Sequence, residues 1–303
     1  MHISACFEHF IKIAEISDST HQFLFTTHWY GFLPILEKCS LTSITRKDND
    51  HKFDITSLTN YREAIKQQTR ESSGLLPYDL RLKSLNDFIQ TVISSLIEEK
   101  PFNWLICEGS SEKIYFDYYF KNEIEESKLR IIPVGGATEI KRIYEHLVVS
   151  VDEFKKQLNG KIAFISDTDA DLVSYETKQI NKILNKRIVN ESNETILVNI
   201  EANPKSPKTE IEDSLNGKLF NKTLLEFKEQ YTELLDFIDD DEKLQIPSYF
   251  AMDLTLSNNE KLTNFFDSDN IKFDFAKKYV DLANICSYEI PKWINELKFF
   301  FQS

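Results

Sequence analysis

The sequence predicts an α/β fold built on a parallel sheet, and three observations carry that expectation. Short apolar runs of strand length recur between residues 104 and 200, stretches of helical period separate them, and glycines fall directly behind several of the runs. Apolar runs separated by helices are the pattern of strands buried on both faces. Gly109, Gly135 and Gly136 each follow such a run in a chain that has only seven glycines. Those are positions where a backbone turns sharply or approaches a ligand.

Taken in order, residues 1–21 read as a helix, because Phe7, Phe10, Ile11 and Ala14 recur at helical spacing. QFLFTTH, 22–28, reads as a short buried strand. Residues 44–80 are polar and read as a connector with one helix at 58–67. Leu85, Phe88, Ile89, Val92, Ile93 and Leu96 mark a helix over 82–99 that Pro101 stops. Strands follow at 104–109, 130–136, 161–167 and 194–200, with helices at 111–120, 138–158 and 174–184 between them. Beyond about residue 211 the remainder reads as mostly helical.

Composition narrows the function classes. No apolar run approaches the roughly 18 residues that cross a bilayer, and the start MHISACFEHF lacks a basic region before a cleavable apolar stretch. A cytoplasmic protein with no membrane partner is expected. Cys6, Cys39, Cys107 and Cys286 lie far apart, form no zinc-site spacing, and read as reduced and mostly buried. A net charge of −13 opposes free-standing nucleic-acid binding, which draws affinity from lysine and arginine. The acid-rich stretch 226–242 holds much of that excess and reads as a solvated surface.

The chemistry concentrates in acids at strand ends. In an open parallel sheet ligands bind beyond the carboxyl ends of the strands, so Glu108 and Asp167 share one functional edge if their strands are neighbours. Asp167, Asp169 and Asp171 are spaced by two, which in an extended segment turns all three carboxylates to one side. Clustered carboxylates repel one another unless a divalent cation sits among them. Magnesium, or manganese, suits such an oxygen-rich set and could serve phosphodiester chemistry.

CEGSSEKIYF (107–116), VGGATEI (134–140) and FISDTDAD (164–171) together resemble the TOPRIM nucleases of the OLD (overcoming lysogenization defect) family and its Gabija-like and PARIS-like antiphage relatives. The resemblance implies a TOPRIM-like parallel sheet flanked by helices, with helical N-terminal and C-terminal additions. It implies Mg2+-dependent cleavage of DNA or RNA. Glu108 would be a general acid/base or metal ligand, Asp167 and Asp169 metal ligands, and Glu112 and Asp171 supporting acids, Asp171 also within ligand reach. TEIEDSL (209–215) resembles the family's acidic helix start, which would make Glu212 a further ligand; an acid-rich helix N-terminus that suits the dipole accounts for it equally. IKFDFAKKYVDLA (271–283) resembles the segment whose lysine contacts the scissile phosphate, with Lys272 the first candidate and Lys277 and Lys278 its competitors.

QFLFTTHWYGFLPIL (22–36) resembles the switch-histidine segment of ABC-type ATPases, in which His28 would sense a γ-phosphate. No GxxxxGK[ST] loop occurs in the sequence, so the segment either completes an ATPase fold whose nucleotide cradle a partner subunit supplies or is the remnant of a truncated gene. The implied division is an ATPase-like remnant at 1–45, a polar connector and helix at 46–100, and a TOPRIM domain with a helical C-terminal part at 101–303. Self-association into a homo-oligomer is a further option. Two other readings stay open: a non-catalytic subunit of an ATPase complex, and a haloacid-dehalogenase-type phosphatase with Asp167 as nucleophile.

Overall fold

The computed structural model describes residues 40–47, 50–57, 78–169, 172–191, 194–202, 208–239, 254–268 and 270–303, together with Ile13, Leu24 and Thr26. The expected helix at 1–21, the strand at 22–28 with His28, and the helix at 58–67 lie essentially outside these residues.

Within the stretch expected to be a connector the chain forms an antiparallel hairpin, β1 (Ser40–Lys47) and β2 (Asp50–Ser57), with Ile44 opposite Phe53 and Lys47 opposite Asp50. The charged residues of this stretch concealed Ile44, Phe53 and Ile55, residue types that favour a pleated strand.

α1 (Tyr78–Ile97) leads into the main sheet, whose strands are β3 (Asn103–Cys107), β4 (Leu129–Pro133), β5 (Ile162–Ser166), β6 (Ile183–Glu191) and β7 (Glu194–Asn199). Their spatial order is β4-β3-β5-β6-β7. The first four are parallel, and β7 returns antiparallel to β6. Helices α2 (Ser110–Tyr119), α3 (Lys121–Glu126) and α4 (Ala137–Phe154) connect the early strands. A 3-10 turn (Ile211–Ser214) then opens the helical part, α5 (Gly217–Phe227), α6 (Leu256–Phe266), α7 (Ile271–Ile285) and α8 (Lys292–Gln302).

Side-chain alternation along the strands divides the core into two layers. Trp104, Ile106, Ile132 and Phe164 pack with α1 and α4 on one face. Leu105, Cys107, Ile131, Ala163 and Ile165 pack on the other face with α2 and the helical C-terminal part. The α/β class, the parallel central strands and the helical remainder match expectation. The edge strand is the exception, being antiparallel.

The helix expected at 174–184 is absent. Outside side chains claim its backbone amides: Thr177 N–H donates to Glu201 at 2.5 Å and Lys178 N–H to the Tyr144 hydroxyl at 2.8 Å. Residues 172–180 therefore run without helical hydrogen bonds, and β6 begins at Ile183, a strand that sequence periodicity did not reveal. Cys107 is buried as expected, whereas Cys286, at the C-terminal end of α7, is exposed.

Candidate metal centre

Glu108 and Asp167 follow directly behind β3 and β5, and these strands are hydrogen-bonded neighbours. The two residues touch: Asp167 N–H donates to Glu108 Oε1 at 2.9 Å. The Gly135-Gly136 turn behind β4 closes over the same strand end, its two amides donating to the Glu108 carbonyl at 2.6 and 3.0 Å. Both glycines have positive φ, 88° and 116°, a conformation side chains resist, and Gly136 launches α4. Ala137 N–H, in the first turn of α4, also donates to the Glu108 carboxylate, a natural position for an anion.

Glu112 lies one turn into α2 and folds back on the helix start. Its Oε2 accepts from Glu108 N–H at 2.6 Å and from Gly109 N–H at 3.0 Å. Those amides would otherwise be unsatisfied at the helix N-terminus. Glu112 is thus both an acid at the centre and the brace that aims Glu108.

A short two-residue ladder brings in the downstream acids. Thr168 and Thr209 exchange both backbone hydrogen bonds at 2.9 Å, and the Thr168 hydroxyl donates to Ile188 O at 2.6 Å. This joins the loop after β5 to the approach of the 3-10 turn, so Glu210 and Glu212 arrive beside Asp167. Glu212 is buried, with the Tyr115 hydroxyl 3.5 Å from its Oε1. Asp169 is exposed; Asp171, like His28, lies outside the described residues.

The electrostatics follow from burial and like charge. Burial pushes Glu108 up to about 7, with Asp169 adding to the rise while the amides of Asp167 and Ala137 and the Arg187 charge oppose it. Burial, followed by the Glu108 charge, raises Glu112. Asp167 is raised by burial and then by Glu112, Glu108 and Glu212. Burial also takes Glu212 up to about 7 against the pull of Lys272. Carboxyl groups pushed this way resist ionising together and gain most from a cation.

Among the described residues no three His, Cys, Asp or Glu side chains already converge at metal-binding spacing. The Glu108 and Glu112 carboxylates both accept from backbone amides. The donor set nonetheless fits a hard divalent ion, being made of carboxylate oxygens that suppress one another's ionisation. Glu108, Asp167, Asp169 and Glu212 would be the groups to hold one.

Three basic residues complete the surroundings. Lys272, in the first turn of α7, pairs with Glu210 Oε2 at 2.6 Å. Its rivals are engaged elsewhere, Lys277 over the Phe273 ring at 4.2 Å and Lys278 with Glu226 at 3.0 Å. Lys208 takes the other Glu210 oxygen at 2.5 Å. Arg187, which sequence reasoning missed, sits opposite Ser166 on β6 and is 2% exposed. Its Nη2 donates to Val173 O at 3.0 Å and Ile200 O at 3.2 Å, tying the far end of the aspartate loop to the end of β7. It lay between the expected helix at 174–184 and the expected strand at 194–200, in a stretch given no element; the apolar pair Ile188-Val189 beside it was the available signal.

Residues 103–169 match the family model described as overcoming lysogenization defect protein-like, TOPRIM domain. No curated protein and no solved structure matches the chain. The matched stretch runs from the start of β3 through Asp169, enclosing Glu108, Glu112 and Asp167, and supports a TOPRIM domain of OLD type in this chain.

Proposed function

We propose that the protein is a Mg2+- or Mn2+-dependent nuclease that cleaves phosphodiester bonds in nucleic acid, with Glu108, Asp167 and Asp169 holding the metal and Asp171 and Glu212 assisting. The observation that carries this reading is the set of mutually repelling carboxyls behind β3 and β5, fed by two neighbouring lysines, inside a stretch that matches a TOPRIM domain of OLD type. A bound divalent ion would supply charge neutralisation at a phosphate and an activated water. The chain's own groups have separable roles. Glu112 braces the Glu108 backbone, Glu108 is a metal ligand or the general acid/base, and Lys272 offers a positive charge to a phosphate oxygen.

In the wider setting, the protein acts as the effector of an antiphage system, in the cytoplasm, under the control of an ATPase subunit that carries the phosphate-binding loop absent from this sequence. The 1–45 segment with His28 would complete that partner's site. No helix among the described residues is long and apolar enough to cross a membrane.

The test incubates the chain with plasmid DNA, single-stranded DNA and tRNA in Mg2+ or Mn2+, with and without an ATPase encoded beside it. Metal-dependent cutting of one of these substrates, lost in Glu108→Ala and Asp167→Ala, is expected. A chain that cuts none of them in either setting sinks the nuclease reading. Phosphate trapped on Asp167 from a small phosphomonoester would favour the phosphatase instead.

A further inference from the structure

Glu210 differs from the other acids around the centre. Both of its oxygens are engaged by ammonium groups, Lys208 at 2.5 Å on Oε1 and Lys272 at 2.6 Å on Oε2. A carboxylate committed in this way is a poor metal ligand. Its carboxyl, which burial alone would raise, is lowered by Lys272 and Lys208 together. Glu210 is itself fixed from below, because its N–H donates to the half-buried Asp213 Oδ2 at 2.9 Å and Asn190 Nδ2 donates to the Asp213 carbonyl at 3.0 Å. The neighbouring Thr209 is pinned to Thr168 in the aspartate loop.

The two lysines come from different elements and face different acids. Lys272 feels Glu212, Glu210 and Asp167, whereas Lys208 feels Glu210 and, more weakly, Asp169. Both meet at the Glu210 carboxylate, and Lys272 and Lys208 keep solvent access, with side-chain exposures of 35% and 49%. The trio carries two positive charges to one negative.

We propose that Glu210 is a positioning residue that holds Lys208 and Lys272 side by side as a phosphate-binding pair, which takes the sugar-phosphate backbone of a nucleic acid beside the acidic centre. The family resemblance assigns a phosphate contact to Lys272 alone; Lys208 and the shared Glu210 anchor extend it. The inference rests on the nuclease reading for its substrate class but not for its test.

Binding of a fluorescent oligonucleotide, single-stranded and duplex, is measured by anisotropy with the full chain in EDTA, where no cutting occurs, across a series of KCl concentrations. Each phosphate contact contributes about 0.7 to 0.9 to the slope of log affinity against log salt. Lys208→Gln and Lys272→Gln each lower the slope by about that amount, whereas Lys292→Gln, which alters a lysine paired with Glu194 on an exposed surface, leaves it alone. Glu210→Gln keeps both positive charges and removes a negative one, yet weakens binding several-fold because the pair is no longer held. Tighter binding by Glu210→Gln, a Lys208→Gln slope equal to that of Lys292→Gln, or no binding by the parent chain overturns the proposal. Cutting in Mg2+ is scored separately. Slopes that fall without any cutting remove the nuclease reading and leave the pair, whereas cutting with unchanged slopes does the reverse.

Discussion

Glu108 is tied at both ends of the residue: its carbonyl accepts from Gly135 and Gly136, and its carboxylate accepts from Asp167. Glu108→Gln retains an oxygen for the Asp167 amide but loses the charge. We expect near-parental folding by circular dichroism, Mg2+ affinity weakened at least about tenfold by calorimetry, and cleavage slowed about a hundredfold or more. Arg187→Met tests the other kind of residue. It leaves the Val173 and Ile200 carbonyls without their guanidinium, and should cost about 3 kcal/mol in urea unfolding with its main effect on stability. An unchanged midpoint would show that the arginine is not holding the aspartate loop. At this scale the sequence was informative about acids and poor on bases. Glu108 and Asp167 stand immediately behind apolar runs, where strand ends are legible. Lys272 was named from its segment, whereas Lys208 and Arg187 gain their significance from tertiary pairings that no local pattern records.

At the level of elements, strands flanked by apolar runs were legible because burial on both faces demands them. Two elements were not. The β1–β2 hairpin was hidden by charge on its alternating positions, and β6 by a preceding segment whose amides are captured by Glu201 and Tyr144. Tertiary hydrogen bonds at Thr177 and Lys178 take amides that a helix would use. The turn before β5 provides a sharp check on how closely α1 packs against the sheet. A Cβ on Gly160 would lie 2.3 Å from Phe102 O and 3.0 Å from Leu96 Cδ2, while Gly160 N–H donates to Leu96 O at 2.9 Å. Gly160→Ala should therefore destabilise by about 1 to 3 kcal/mol in chemical unfolding. A neutral outcome would mean that the α1 connection yields more easily than its packing indicates.

For the molecule as a whole, the acidic centre couples stability to pH and to metal. Glu108 and Glu212 rise from 4.5 to about 7, and Glu112 and Asp167 also rise. Folded carboxyls with raised pKa bind more protons than unfolded ones between those values, so stability falls as pH climbs through the window from 4.5 to about 7 and then levels off. The metal-free Tm should decline between about pH 5 and pH 8 through this cluster, Mg2+ should raise Tm more at the upper end, and Glu212→Gln should flatten the decline. A Tm equally responsive to Mg2+ at both ends would contradict that coupling. The same physics reconciles a net charge of −13 with a nucleic-acid substrate, because part of the acid is concentrated where a cation belongs and lysines stand next to it. The measurement that tests the central claim most directly is a cleavage time course with parent and Asp167→Asn chains, matched in fold by circular dichroism, in Mg2+ and in EDTA. The parent cuts in Mg2+ alone if these acids hold a catalytic metal; equal cutting by Asp167→Asn, or cutting that persists in EDTA, rules that out.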